Sequence, residues 1–254
     1  MSPVPENLLL LHTGEEVLWT RTLELVDASP DLADHLDITE RVMDLIDVLR
    51  KTYTSTDDER TISHLGLRVF NLFATAWKLT ATGYYQPAAA LLRDIIETSN
   101  LVHYFKIDRS QVARWYNADA RTLKRDFSPA AVRKALDDHT GKGRSKREEI
   151  YKKFSTLAGH PTAAGFALLR PKGMDAHMGP FSDVTALRAV LEEMGMLAVQ
   201  SGFAFCVYLD TTTPLGSGTA KRFLVGAMDF SGKYLGRVYS HAERQDVERL
   251  FGTP

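Results

Sequence analysis

The stretch QPAAALLRDIIETSNLVHYF, residues 86–105, constrains the fold more than any other part of this 254-residue chain. Plotted at about 100° per residue, its apolar positions occupy most of the circumference of a helix, with Leu92 and Ile96 on one side and Leu101 and Phe105 on the other. A helix that is apolar nearly all round has to be covered by other helices. The stretch therefore predicts a central helix of a bundle.

A narrow polar stripe interrupts this apolar surface and is formed by Arg93, Glu97, Asn100 and Tyr104. Arg93 and Glu97 are one turn apart and can pair. An unpaired charge inside a bundle would cost several kcal/mol. Three interpretations stay open: an ion pair that fixes helix packing, a polar cleft inside the bundle, or simple exposure to solvent. His103, in the apolar sector, is expected to be a core histidine and not a catalytic one.

The rest of the chain has the same helical character. Apolar residues recur at intervals of three and four, and no convincing strand alternation is present. Helix-start patterns occur at Thr56, Asp108, Ser128, Ser145 and Ser240. We predict an all-α fold, a multi-helix bundle in which residues 1–254 form a single domain. The expected helices are 14–27, 39–53, 57–82, 86–106, 109–126, 129–138, 146–158, 184–209, 218–236 and 241–250.

The segment 159–183 lacks helix periodicity and is rich in glycine and proline. So long a segment in a compact domain is typical of a lid or a binding loop. GFALLR and MDAHMGPF can pair as a small hairpin around PKG. Because Phe166 and Phe181 lie within the segment, we expect it to pack over one end of the bundle.

The helix before this segment ends in a candidate site. Tyr151 and Ser155 follow one another at an interval of four, and His160 precedes Pro161, which disfavours helical geometry at the residue before it. With Arg93 and Glu97, these three residues would form a site that binds a small anionic ligand or a nucleotide, or that moves a proton. In the alternative interpretation, His160 only ends the helix and anchors the loop.

The pattern LLRxxxE, followed about sixty residues later by YKxFSxxxxHP, resembles a group of uncharacterised bacterial helical proteins. These are similar to HEPN-type domains and abortive-infection proteins, and the resemblance covers roughly residues 70–165. It implies a bacterial, defence-related protein. Catalytic HEPN domains are ribonucleases that place an arginine and a histidine near a dimer interface, and the spacing occurs here at Arg133/His139 and Arg170/His177.

Other classes are disfavoured or excluded. With 31 basic and 32 acidic residues, no bulk charge directs the chain to nucleic acid or to a membrane. A local basic surface comprises Arg114, Arg121, Arg125, Lys142, Arg144, Lys146 and Arg147. Acidic neighbours dilute its charge, so a solvated face is favoured over an RNA-binding one. No Glu-x-x-His motif is present, which argues against a di-iron bundle.

Compartment and association follow from two further features. Cys206 is the only cysteine, which excludes an intramolecular disulfide and a Cys-based zinc cluster, and we expect it to be a buried apolar residue. No signal peptide or membrane span is recognised, so a cytoplasmic protein is expected. No metal or cofactor is predicted. The apolar 184–209 helix fits either a core helix or a homodimer interface.

The leading hypothesis is thus a cytoplasmic protein with an internal Arg/Glu/His site for a small anionic ligand or nucleotide. The alternatives are a HEPN-like, metal-independent ribonuclease and a helical interaction module without chemistry.

Overall fold

The computed structural model describes residues 4–141, 146–170 and 173–251. Within these ranges the chain is predominantly helical and contains no strand, so the all-α prediction is confirmed. A π-helical turn, Ser155–Gly159, and a 3₁₀ helix, Ala163–Leu169, follow α8. The α-helices are α1 Glu6–Asp27, α2 Pro30–Thr52, α3 Asp57–Ala81, α4 Tyr85–Ile107, α5 Gln111–Tyr116, α6 Ala120–Asp126, α7 Pro129–Thr140, α8 Lys146–Phe154, α9 Val184–Cys206, α10 Pro214–Tyr234 and α11 His241–Phe251.

Four long helices form the centre of the molecule. α2 packs against α3 and α9, and α4 closes the ring by packing against the same two helices. α7, α8 and the π-helical turn cover another side of α4, as expected for a helix that is apolar nearly all round. Phe73, Ile95 and Phe205 are fully buried between these helices. Burial of each such side chain contributes roughly 1.5–3 kcal/mol to the stability of the fold.

Polar side chains inside the core are hydrogen-bonded across helices. The hydroxyls of Ser99 on α4 and Ser201 on α9 lie 2.8 Å apart, and both residues are buried. One residue further along α4, the amide oxygen of Asn100 accepts from Gln200 Nε2 at 3.1 Å. Because a buried polar group without a partner is costly, these pairs favour one register of α4 against α9.

Several predicted helix boundaries are wrong, including that of α10, which begins at Pro214 and not at residue 218. α1 begins at Glu6 and α2 at Pro30, well before the predicted residues 14 and 39, since charged residues in the first turns of α2 masked its apolar spacing. The predicted helix 109–126 is two helices. The Asp119 side chain accepts from Thr122 N at 2.7 Å and caps α6, a competing start signal within a run of continuous helical spacing.

The helix-start patterns have mixed outcomes. Ser240 and Glu243 form a reciprocal capping box, with hydrogen bonds of 3.2 and 2.8 Å. Thr56 and Ser128 each cap their helix through the side-chain oxygen. Asp108 instead ends α4, and its carboxylate accepts from residues of the following turn. The predicted pattern at Ser145 lies outside the described residues.

The segment after α8 packs over the start of α4. The predicted hairpin is wrong, because residues 163–169 form the 3₁₀ helix and no strand occurs in the described part of the segment. Phe181 is buried against Tyr85, with ring centroids 5.2 Å apart, and its amide donates to Gly83 O at 3.3 Å. Gly83 has φ +86°, and a Cβ there would lie 2.5 Å from Phe181 O. A glycine is therefore needed where this segment crosses the α3–α4 turn.

Every helix in the described ranges is too short or too polar to cross a lipid bilayer.

Candidate functional site

An ion pair on α4 is the starting point of the candidate site. Arg93 Nη2 lies 3.0 Å from Glu97 Oε1, and each side chain is 25% exposed. The spacing of one helical turn brings the two groups together, as the sequence predicts. The atoms are in contact without the alignment of a hydrogen bond, since Glu97 Oε1 is buried and has no hydrogen-bond partner among the described residues.

Tyr151 joins this pair from α8. Its hydroxyl accepts a hydrogen bond from Arg93 Nη2 at 2.9 Å. Burial disfavours the charge on Arg93, but the bond to Tyr151 and the field of Glu97 outweigh it and raise the pKa of the guanidinium. The Arg133 guanidinium of α7 lies 4.0 Å from the centre of the Tyr151 ring, in cation–π contact. Glu97, Arg93, Tyr151 and Arg133 thus form a continuous chain of contacts, which we call the arginine cluster.

The π-helical turn allows α8 to approach α4 closely. In this turn His160 N donates a hydrogen bond to Ser155 O at 3.1 Å, and the separation of five residues is the one that defines a π-helix. A Cβ on Gly159 would lie 2.7 Å from Arg93 Nη1. Glycine at this position therefore lets the Arg93 guanidinium lie against the backbone of the turn. Ser155 lies on the same turn, one interval of four after Tyr151.

Buried polar atoms without a hydrogen-bond partner concentrate in and beside the arginine cluster. In the described part of the chain, five buried side-chain nitrogen or oxygen atoms have no hydrogen-bond partner, and four of them belong to this region. Buried polar groups are nearly always paired, so a concentration of exceptions indicates a site built for water or a ligand. The four atoms are Arg93 Nε, Glu97 Oε1, Arg133 Nη1 and Ser155 Oγ.

A pocket of about 280 Å³ adjoins the cluster between α3, α4 and α7. Glu97 and Arg133 form part of its polar lining, and the rings of Trp115 and Phe127 form part of its apolar lining. The other lining residues are Leu65, Arg68, Asp94, Thr98, Asn100, Leu101, Pro129 and Val132. Arg68 and Asp94 form an ion pair with each other. Together with Arg93, the three arginines and two carboxylates leave one net positive charge at the site.

His160 lies outside the arginine cluster. The residue is exposed, and its imidazole makes no hydrogen bond, ion pair or ring contact with any described residue. The predicted participation of His160 with Glu97 is therefore not found. The reason is local: the turn ends at His160, whose backbone is extended at φ −138°, so the helical interval of four from Tyr151 through Ser155 does not continue to this residue.

The two Arg–His pairs of the ribonuclease hypothesis are not assembled within one chain. Arg133 is half-buried against Tyr151, whereas His139 on the same helix is exposed. Six residues correspond to about 120° around a helix, so the two side chains leave α7 in different directions. Arg170 and His177 are both exposed, and the His177 ring packs at 6.0 Å from Phe181.

The predicted basic surface is only partly neutralised, since Arg114 and Arg125 share a single carboxylate and Arg121 makes no ion pair with a described residue. Arg114 and Arg125 both pair with Asp126, and Arg147 pairs with Asp137 at 2.8 Å. Its members at 142 and 144 lie outside the described residues.

Half-buried His103 and buried Cys206, elsewhere in the bundle, carry no site. Burial lowers the pKa of His103 to about 4, and the charges of Lys106 and Arg147 act in the same direction. Burial raises the pKa of the Cys206 thiol to about 11, as expected for an apolar residue and not a reactive one. No group of three or more His, Cys, Asp or Glu side chains in the described ranges is arranged to hold a metal ion.

Sequence reasoning missed the role of Arg133, Trp115 and Phe127 at the site. Arg133 was singled out only as a partner of His139, and no local signal connected it with Arg93 and Glu97, because α7 and α4 are separate elements of the chain. No local signal identified the two aromatic rings as pocket walls, because they come from different elements of the chain.

No family model matches this chain, and comparison with curated proteins and with solved structures yields no significant match.

Proposed function

We propose that this protein binds a small organic molecule carrying one anionic group and one hydrogen-bond donor in the pocket beside the arginine cluster. Small nucleotides such as nucleoside monophosphates fit this description. The pocket volume of about 280 Å³ is close to the lower limit for ligand sites, which favours a ligand of that size over a dinucleotide.

The observation that carries the proposal is that Arg133 Nη1 is buried without a hydrogen-bond partner, while buried Glu97 Oε1 has only its ion pair with Arg93. An ion pair that only fixes helix packing needs no group beyond its own two partners. A polar network that is only partly hydrogen-bonded destabilises a fold. Here an arginine donor and a carboxylate acceptor, both from residues that line one pocket, each lack a hydrogen-bond partner. A ligand that supplies the missing acceptor and donor would satisfy both atoms.

Each lining group then has a role that follows from its chemistry. Arg133 would bind the anionic group, since guanidinium donates to phosphate or carboxylate with two parallel bonds. Glu97 would accept from a hydroxyl or amine of the ligand. Trp115 and Phe127 would contact a flat ring, in the manner in which aromatic side chains stack on bases. Arg93 and Tyr151 hold Glu97 and Arg133 in place and are positioning residues.

The test is thermal unfolding with a panel of nucleoside monophosphates, inorganic phosphate, small carboxylates and short RNAs, followed by calorimetric titration of any ligand that raises the midpoint. Arg133→Gln and Glu97→Gln should each weaken binding at least tenfold. Arg109→Gln is the matched control, because Arg109 also contacts a tyrosine hydroxyl (Tyr53, 2.5 Å) and an aspartate but does not line the pocket. It should leave the affinity unchanged.

The panel also separates the alternative functions. Cleavage of short RNA in the presence of a chelator, lost on His139→Ala or His177→Ala, would favour the HEPN-like ribonuclease. If no ligand shifts the midpoint and Arg133→Gln changes only stability, the interaction module without chemistry becomes the better hypothesis.

A further inference from the structure

A second concave surface lies on the other side of α3. It is a groove of about 630 Å³ between α2 and α3. Half-buried Leu36 and Met43 of α2 face half-buried Phe70 and Trp77 of α3, and fully buried Met194 of α9 forms part of the floor. At about 100° per residue, Phe70 and Trp77 lie on the side of α3 opposite the residues that line the arginine-cluster pocket. The groove is therefore a separate site.

The α2 edge of the groove is acidic. Asp37, Glu40 and Asp44 follow one another at intervals of three and four and all line it. Asp37 pairs with Arg41 at 2.7 Å, and Arg222 lies 3.7 Å from Asp44. Glu40 is exposed and makes no ion pair with any described residue. At least one carboxylate on this edge is thus available to a partner.

The dimensions of the groove match a short helix. Its lining on α2 extends from Ala33 to Asp44, which corresponds to about 16 Å, or three helical turns, at 1.5 Å per residue. An apolar groove of this length is the kind of surface that accepts the apolar face of an amphipathic helix, and methionine and aromatic walls adapt well to such a face.

We propose that this groove binds an amphipathic helical segment of another protein that carries lysine or arginine along the edge facing α2. The basic character follows from charge complementarity with Glu40, the carboxylate on this edge that has no ion-pair partner among the described residues. A second copy of α1 is the competing occupant within this chain, because Leu8 and Leu10 leave an apolar surface exposed. However, α1 carries five carboxylates and one arginine, a balance of −4, so it would place like charge against the rim.

The experiment uses two labelled helical peptides of about 14 residues that share one leucine face, the first with lysines and the second with glutamates on the polar face. Fluorescence anisotropy measures their binding to the full chain at low and at high salt. We expect saturable binding of the lysine peptide, weakening with salt, and at least tenfold weaker binding of the glutamate peptide.

Three variants locate the binding. Ala74→Arg places a bulky cation in the groove and should reduce affinity at least tenfold. Glu40→Lys, at an exposed position, should reduce it about fivefold through charge alone. Asp138→Lys is the matched control, because Asp138 is an exposed carboxylate that does not line the groove, and it should leave binding unchanged. Circular dichroism confirms that each variant is folded.

Three results would overturn the proposal: equal binding of the lysine peptide to wild type and to both groove variants, equal binding of the two peptides to wild type, or no binding to wild type at about 100 μM. None of these results bears on the arginine-cluster pocket, so the two proposals fail independently.

Discussion

Replacement of Ser155 by alanine is expected to make this protein more stable, which is the opposite of what most core substitutions do. Ser155 Oγ is buried and has no hydrogen-bond partner among the described residues. The side chain therefore loses hydration on folding without gaining a bond. Alanine keeps the Cβ, removes the unpaired hydroxyl and is the better helix former.

The magnitude follows from two contributions. An unsatisfied buried hydroxyl costs about 1–3 kcal/mol, and the helix-propensity difference adds a few tenths. Since the turn can relax partly around the hydroxyl, we expect the free energy of unfolding to rise by about 1–2 kcal/mol. For a chain of this length, that corresponds to an increase in Tm of about 2–4 °C.

Ser99→Ala is the matched control, because the same atom is removed from a residue whose hydroxyl lies 2.8 Å from that of Ser201. This substitution leaves the Ser201 hydroxyl unpaired and should lower the free energy of unfolding by about 1–3 kcal/mol. Urea unfolding of both variants, with unchanged m-values, measures the two effects.

A destabilisation of 1 kcal/mol or more by Ser155→Ala would refute the reasoning. The hydroxyl would then have a partner, such as an ordered water, and the polar atoms around Arg133 would form a satisfied structural network. The observation behind the proposed binding site would lose its force.

Three further predictions follow from buried groups and close contacts. The neutral form of His103 is favoured in the folded state, so the free energy of unfolding should fall as pH decreases from about 6.5 toward 4. The expected decrease is about 2 kcal/mol after solvent screening. Between pH 7 and 4.5, the free energy of unfolding of His103→Gln should decrease less than that of the wild type. Gly202→Ala places a Cβ 2.0 Å from Phe223 Cε2 and should cost about 2–3 kcal/mol, whereas Gly218→Ala, with open space around it, should add about 0.5–1 kcal/mol in the same urea assay. His160→Ala should change stability by less than about 0.5 kcal/mol and leave ligand affinity unaltered, and a large loss of either in unfolding or titration experiments would return His160 to the site.

The sequence alone was sufficient where a feature depends on neighbours along one helix. The apolar circumference of residues 86–105 predicts a central helix, and α4 is covered by α3, α9, α7 and α8. The interval of four predicts that Arg93 and Glu97 meet, and they do. Pro161 predicts the end of the preceding helix at His160, because the ring of a proline disfavours helical geometry before it.

The sequence was misleading where two local signals competed. Continuous helical spacing over 109–126 concealed the cap at Asp119, and apolar residues within 163–169 suggested a strand where a 3₁₀ helix forms. A few apolar residues fit either period, so their spacing alone does not decide between a strand and a helix.

Only the tertiary structure decided which side chains share the site. Arg133 reaches Tyr151, and Trp115 and Phe127 form walls of the pocket, because α5, α7 and the chain between them dock against α4 in one particular arrangement. His160, at the end of the π-helical turn, is left in solvent. The sequence by itself determined the helices and their polar stripes, since these depend on interactions between residues that are a few positions apart. The site depends on how buried surfaces from distant segments fit together, and no spacing along the chain encodes that fit directly.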